Sequence, residues 1–106
     1  MTTSTSATGA SIFEESLGEA WAPISWPPPL RALWLLENDD WDGAHELVQH
    51  EEDAASAWVH AHIHRIEGDD WNARYWYRRA GRPEGKGDFA AERRQMAVEM
   101  LDLTSP

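Results

Sequence analysis

The residues best suited to chemistry in this sequence are three histidines in segment 58–64, which reads WVHAHIH. Imidazole nitrogen is a common ligand of Zn²⁺, Ni²⁺ and Cu²⁺. On a strand His60 and His62 would point the same way, but on a helix residues two apart diverge and residues four apart share a face. A helix therefore selects His60 and His64 as the candidate metal ligands.

Two histidines leave the coordination sphere of a metal ion incomplete, so a further ligand is needed. His45 or His50 from the preceding helix, or the carboxylate of Glu46, could supply it. The alternative is that His60 and His64 pack between helices with their ring nitrogens hydrogen-bonded. The sequence favours this alternative, because spacing identifies no third ligand.

A second candidate site combines basic and aromatic residues of segment 74–82: Arg74, Tyr75, Trp76, Arg78 and Arg82. Arginine binds carboxylates and phosphates with two parallel hydrogen bonds, and exposed Tyr and Trp are favoured anchors of interfaces. This pattern predicts a partner-binding surface. The alternatives are solvated cations favoured by the helix dipole, or pairing within the chain with the acidic first helical hairpin.

The sequence contains no catalytic signature. Cysteine is absent, which removes thiol nucleophiles and disulfides, and Ser56 lies outside any nucleophile-elbow motif. The acidic turns at 37–40 and 67–70 lack the ligand spacing of a calcium loop and are expected to cap helices. We therefore predict that the protein is not an enzyme and uses no cofactor.

The elements that must position these residues are predicted to be helices. Ser11 and Glu14 have the spacing of a capping box, which predicts a short helix over 11–20, and the proline-rich stretch 23–29 predicts an extended connector. Further helices are predicted from near Leu30 to Asn38, over 41–50, 53–67 and 70–81, and from Asp88. Asn38 is expected to adopt the left-handed conformation. The predicted organisation is a disordered leader at 1–10, a short helix and connector at 11–29, and a helical domain at 30–103.

An internal repeat suggests how these helices are arranged. Segment 36–42, LENDDWD, recurs thirty residues later as IEGDDWN. Such a period is typical of stacked helical hairpins, and here it predicts two hairpins followed by a closing helix.

Segment 68–80 resembles the turn and second helix of a tetratricopeptide repeat, with Gly68 at the turn and Ala73, Tyr77 and Ala80 at packing positions. The match is closer for the second hairpin than for the first. The resemblance implies a short all-α array of antiparallel helical hairpins that binds protein segments. The segments WVHA and YWYRRAGRP also make the chain similar to some small bacterial proteins.

Charge and hydropathy limit the classes of partner. The net charge is −10, and eleven acidic residues but one basic residue, Arg31, precede Arg65. This acidity argues against nucleic-acid binding. The longest apolar run, 32–36, is too short for a membrane span. We therefore expect a cytoplasmic module for protein–protein interaction or self-association. The alternative function is binding of a metal or small ligand through the histidines.

Overall fold

A computed structural model describes the backbone of residues 8–104 and the side chains of residues 8–102. All regular secondary structure in this range is helical, so the predicted all-α class is confirmed for it. No helix there has the length and apolar character needed to cross a membrane. The helices are α1 (Gly9–Ser16), α2 (Pro28–Glu37), α3 (Trp41–Val48), α4 (Ala54–Ile66), α5 (Asp70–Ala80) and α6 (Phe89–Thr104).

The first helix begins earlier than predicted. Thr8 is the N-cap of α1, and its hydroxyl accepts a hydrogen bond from the Ser11 backbone N–H at 3.1 Å. The Ser11 hydroxyl in turn accepts from the Thr8 backbone N–H, so the reciprocal capping box joins these two residues and the predicted Ser11–Glu14 box is wrong. Residues 8–10 therefore belong to the cap and first turn of α1. The rest of the predicted leader lies outside the described residues.

The proline-rich connector also ends earlier than predicted. Helix α2 begins at Pro28, with Pro28 and Pro29 in its first turn. The first backbone N–H groups of a helix have no intrahelical acceptor, so proline loses nothing there, and its fixed φ suits the helix. The connector is therefore shorter than the predicted 23–29.

The two turns of the internal repeat have the same geometry, but at a spacing of 29 residues rather than 30. The left-handed positions are Asp39 (φ 62°) and Gly68 (φ 81°), and the N-caps that follow are Asp40 and Asp69. The prediction that Asn38 adopts the left-handed conformation is therefore wrong. The sequence repeat aligns Asn38 with Gly68, whereas the backbone geometry aligns Asp39 with Gly68.

Helix α4 lies at the centre of the fold. It packs most extensively on α5 and also contacts α2, α3 and α6. Residues Ser56–Ile63 of α4 are all buried as a result. A helix with neighbours on several sides has no single apolar face, so its polar side chains point into different environments. The histidines of α4 are therefore separated by the packing around it.

Candidate metal centre

Three histidines converge where α3 and α4 meet. One ring nitrogen each from His45, His60 and His64 lies within 4.8 Å of the others. Nε2 of His45 lies 3.2 Å from Nε2 of His60. Of the third ligands considered from the sequence, the structure brings His45 into the group, whereas His50 and Glu46 are exposed and lie outside it.

Helix geometry explains the arrangement of the two α4 ligands. His60 and His64 are one helical turn apart, and their rings stack with centroids 4.9 Å apart and planes 16° apart. The ring of His45 meets both of them edge-on, at 78° to His60 and 80° to His64. The three imidazoles thus surround one small volume from two helices.

Two nitrogens of this cluster have no hydrogen-bond partner among the residues that the structure describes. His60 is only 6% exposed, and its Nδ1 is the first of these two atoms. Nδ1 of His64 also lacks a hydrogen bond, although it lies 3.3 Å from a carboxylate oxygen of Glu67. Burial, followed by the neighbouring charges of His64 and His45, lowers the pKa of His60 to about 4. Its imidazole is therefore neutral at neutral pH, which is the form that binds metals.

An aromatic side chain closes one side of the cluster. The indole of Trp76, on α5, stacks on His60 with centroids 4.0 Å apart and planes 18° apart. The Arg79 guanidinium lies 5.1 Å above the same indole, and Tyr75 meets it edge-on. His60 is thus held between the other histidines and an apolar wall.

No protein-family model, curated protein or solved structure matches this chain. We therefore infer function from the chemistry of the site, because function depends on the residues of a site and not on the fold alone.

The geometry is close to that of a metal site. Two nitrogens bound to one tetrahedral Zn²⁺, each at about 2.0 Å, lie about 3.3 Å apart. The 3.2 Å separation between Nε2 of His45 and Nε2 of His60 is close to this value, and it is also the length of a hydrogen bond between the two rings in the absence of a metal ion. Separations up to 4.8 Å would close to it if each ring moved by about 1 Å, which small side-chain rotations can supply. Three imidazoles would leave a fourth position for water or another ligand.

The residues predicted to form one partner-binding surface are divided between different environments. Trp76 is partly buried against His60, whereas Arg74 and Arg78 are exposed. Arg82 lies 3.9 Å above the Trp58 ring, and its guanidinium is 2.7 Å from Glu99 of α6. Arg82 therefore pairs within the chain, but with the last helix rather than with the acidic first hairpin.

A buried polar network, which the sequence analysis missed, surrounds the remaining histidine of α4. Nδ1 of His62 lies 2.6 Å from Oε1 of Glu92, which also accepts a hydrogen bond from Arg65 at 2.9 Å. The other oxygen of Glu92 accepts from the Tyr77 hydroxyl. Nε2 of His62 lies 3.3 Å from Nη1 of Arg93. A neutral His62 that donates from Nδ1 and accepts at Nε2 satisfies every one of these contacts.

The negative charge of this network resides on Glu92. Burial acts to raise the pKa of Glu92, but hydrogen bonds from His62 and Tyr77, together with nearby positive charge, outweigh burial and hold it below its ordinary value. Burial lowers the pKa of His62, and burial with the Glu92 contact raises that of Tyr77. Glu92 is thirty residues from His62, so no local spacing in the sequence could have linked them.

Proposed function

We propose that this protein binds one divalent transition-metal ion through His45, His60 and His64. The observation that carries the proposal is the convergence of three histidines from two helices, with one ring nitrogen of each within 4.8 Å of the others. Nδ1 of His60 is also buried without a hydrogen-bond partner among the described residues, and an unsatisfied buried polar atom costs about 1–3 kcal/mol, so such an atom is unusual.

The donor set favours particular ions. Neutral imidazole suits Zn²⁺, Cu²⁺ and Ni²⁺, whereas Mg²⁺ and Ca²⁺ prefer oxygen ligands. Three nitrogen ligands with one open position is a common arrangement for Zn²⁺. We therefore propose Zn²⁺ as the first ion to test and expect Mg²⁺ not to compete with it.

The surroundings of the cluster support this assignment. Metal-bound histidines usually donate their second ring N–H to a carboxylate or carbonyl group, which fixes the ring. Nδ1 of His64 lies 3.3 Å from Glu67 and 3.7 Å from Asp69, so a small rotation gives it such a partner. Trp76 covers His60 and would limit the access of water to the bound ion.

The proposal is tested by isothermal titration calorimetry of tag-free, metal-stripped protein with Zn²⁺. We expect one equivalent to bind, and binding to be lost in the His45→Ala/His64→Ala variant. The matched control is His50→Ala, which removes an exposed histidine outside the cluster. Absence of binding by the wild type, or equal loss in the control, would refute the site.

A second candidate function is the interaction or assembly role predicted from the sequence. The observation that favours it is the exposure of several large apolar side chains, with Trp21 80%, Ile24 88% and Trp71 71% exposed. Exposed apolar groups of this size often mark contact surfaces. The role is compatible with metal binding because these residues lie outside the histidine cluster.

We also propose that α2–α3 and α4–α5 are two successive hairpins of the tetratricopeptide type. The equivalent turns before α3 and α5 support this, as do Ala44 and Ala73, which are both buried 29 residues apart. Small residues at such positions let paired helices approach closely. Proteins built this way commonly present surfaces to partners.

A further inference from the structure

A groove in the N-terminal part of the chain is separate from the metal centre. It has a volume of about 980 Å³ and lies between the α1–α2 connection and helix α2. Trp21 and Ile24 line it from the connection, and Trp34 and Leu35 line it from α2. Trp21 and Ile24 are 80% and 88% exposed, so this groove presents apolar surface that the described part of the chain does not cover.

The charge around the groove selects its occupant. Glu19 and Asp40 line the groove beside a single base, Arg31. The whole chain before Arg65 carries eleven acidic residues and one basic residue. An occupant that combines aromatic side chains with positive charge would satisfy both the apolar lining and the acidic rim.

The chain itself carries a surface of this kind on α5. Trp71, Arg74, Tyr75 and Arg78 follow the i, i+3, i+4, i+7 spacing of one helix face. Trp71 and Tyr75 are 71% and 41% exposed, and Arg74 and Arg78 are exposed too. Neither arginine forms an ion pair with the residues that the structure describes. The opposite side of α5 is buried, so this face is turned away from the core.

We propose that the α5 face of one copy docks into the N-terminal groove of a second copy. Aromatic anchors on a helix that enter an apolar groove are a common mode of recognition, and the arginines would meet the acidic rim. The two surfaces differ, so a single contact of this kind is heterologous, and the resulting pair of copies leaves one groove and one α5 face free. The inference rests on the assembly role proposed above and does not involve the metal ligands.

The first test is sedimentation velocity of the tag-free protein over a range of concentrations, in EDTA to exclude bridging by metal ions. We expect the average mass to rise above the 12.0 kDa of the monomer with concentration and to fall again at high salt. The α5 variant Arg78→Glu and the groove variant Trp21→Ser/Ile24→Ser should each remain monomeric. Lys86→Glu makes the same charge change at an exposed site outside α5 and should still associate.

The decisive test is a mixture of the two association-deficient variants. The groove variant retains an intact α5 face, and the Arg78→Glu variant retains an intact groove, so the mixture should form heterodimers that grow no further. Circular dichroism of each variant checks that its helices are intact. A mixture that stays monomeric would overturn the proposed pairing of surfaces, as would association that survives in either variant alone. A wild type that is monomeric throughout would overturn self-association and leave the metal proposal standing.

Discussion

Helix α4 carries histidines in two contrasting environments. His62 is fully buried, and both of its ring nitrogens have protein partners, Glu92 and Arg93. His60, two residues earlier, is nearly as buried and packs against two other histidines, but its Nδ1 has no hydrogen-bond partner among the described residues. Buried polar groups are normally satisfied, so His62 follows the rule and Nδ1 of His60 is an exception to it.

The contrast also extends to the neighbouring helices. The network around His62 joins α4, α5 and α6 through Glu92, and Arg93 continues it to Glu37 of α2 at 3.0 Å. The cluster around His60 involves α3, α4 and the Trp76 side chain of α5. Substitutions in the network should therefore change stability, and substitutions in the cluster should change metal affinity.

The largest expected effect is that of Glu92→Leu on stability. The substitution leaves Tyr77 and Arg65 without their buried acceptor, and breaking a buried charged contact in this way costs about 3–5 kcal/mol. Chemical denaturation of the metal-free protein measures it. Glu99→Gln, which breaks the more exposed ion pair with Arg82, is the control and should cost less than about 1 kcal/mol. Equal losses of stability in the two variants would contradict the larger contribution to stability that we expect from the buried network.

His60→Leu should have the opposite profile. We expect Zn²⁺ affinity to fall at least about 100-fold, or about 2.7 kcal/mol, because one of three ligands is lost. Stability of the metal-free protein should stay within about 1 kcal/mol of wild type, since the substitution removes one hydrogen-bond contact, from Nε2 to His45, and also removes the buried Nδ1 that is unpaired among the described residues. Calorimetric titration and denaturation in EDTA measure the two quantities. Undiminished Zn²⁺ binding would place the metal elsewhere.

Gly85→Ala should destabilise the network without touching the cluster. A Cβ at Gly85 would lie 2.1 Å from Oε2 of Glu92 and 2.5 Å from the Tyr77 hydroxyl, so those groups would have to move. Overpacking of this kind costs about 1–3 kcal/mol. Thermal unfolding measures the loss of stability. Gly68→Ala is the comparison: nothing lies near the added Cβ there, so its effect reflects the cost of the positive φ alone. Wild-type stability in Gly85→Ala would mean that the loop that carries Gly85 can move away from Glu92 without a loss of stability.

The smallest expected effect is that of Glu67→Gln on Zn²⁺ affinity. Its carboxylate lies beside Nδ1 of His64 and would orient the ring when the other nitrogen binds the ion. Groups that hydrogen-bond to metal ligands change metal affinity by about 10–100-fold. We expect a change near the lower limit because the Glu67 side chain is exposed. Competition titration with a chromophoric chelator resolves a change of this size. Glu46→Gln is the control, and the same loss there would indicate a general effect of negative charge.

Local rules accounted for much of the helical structure. Gly81 is left-handed and ends α5 as a Gly at that position should, and Asp53 caps α4. The errors arose where several residues satisfied one rule equally well: Thr8 rather than Ser11 caps α1, and Asp39 rather than Asn38 is left-handed. Such choices depend on tertiary packing, which a local pattern does not contain.

The candidate site was predictable in part for the same reason. Helical spacing selected His60 and His64, but the choice of His45 over His50 required the relative placement of α3 and α4. No pattern in the sequence predicts the contact between His62 and Glu92, because the two residues are thirty positions apart and lie on different helices. Spacing along the chain does not predict which residues of different helices come into contact.

The most direct test of the metal centre is the visible absorption spectrum of the metal-stripped protein titrated with Co²⁺, a spectroscopic substitute for Zn²⁺. If His45, His60 and His64 bind the ion, intense bands of a four-coordinate site should appear, saturate at one equivalent, be displaced by Zn²⁺, persist in His50→Ala and vanish in His60→Leu. The weak spectrum of six-coordinate aqueous Co²⁺ throughout the titration, or intense bands that survive in His60→Leu, would contradict the proposed metal centre.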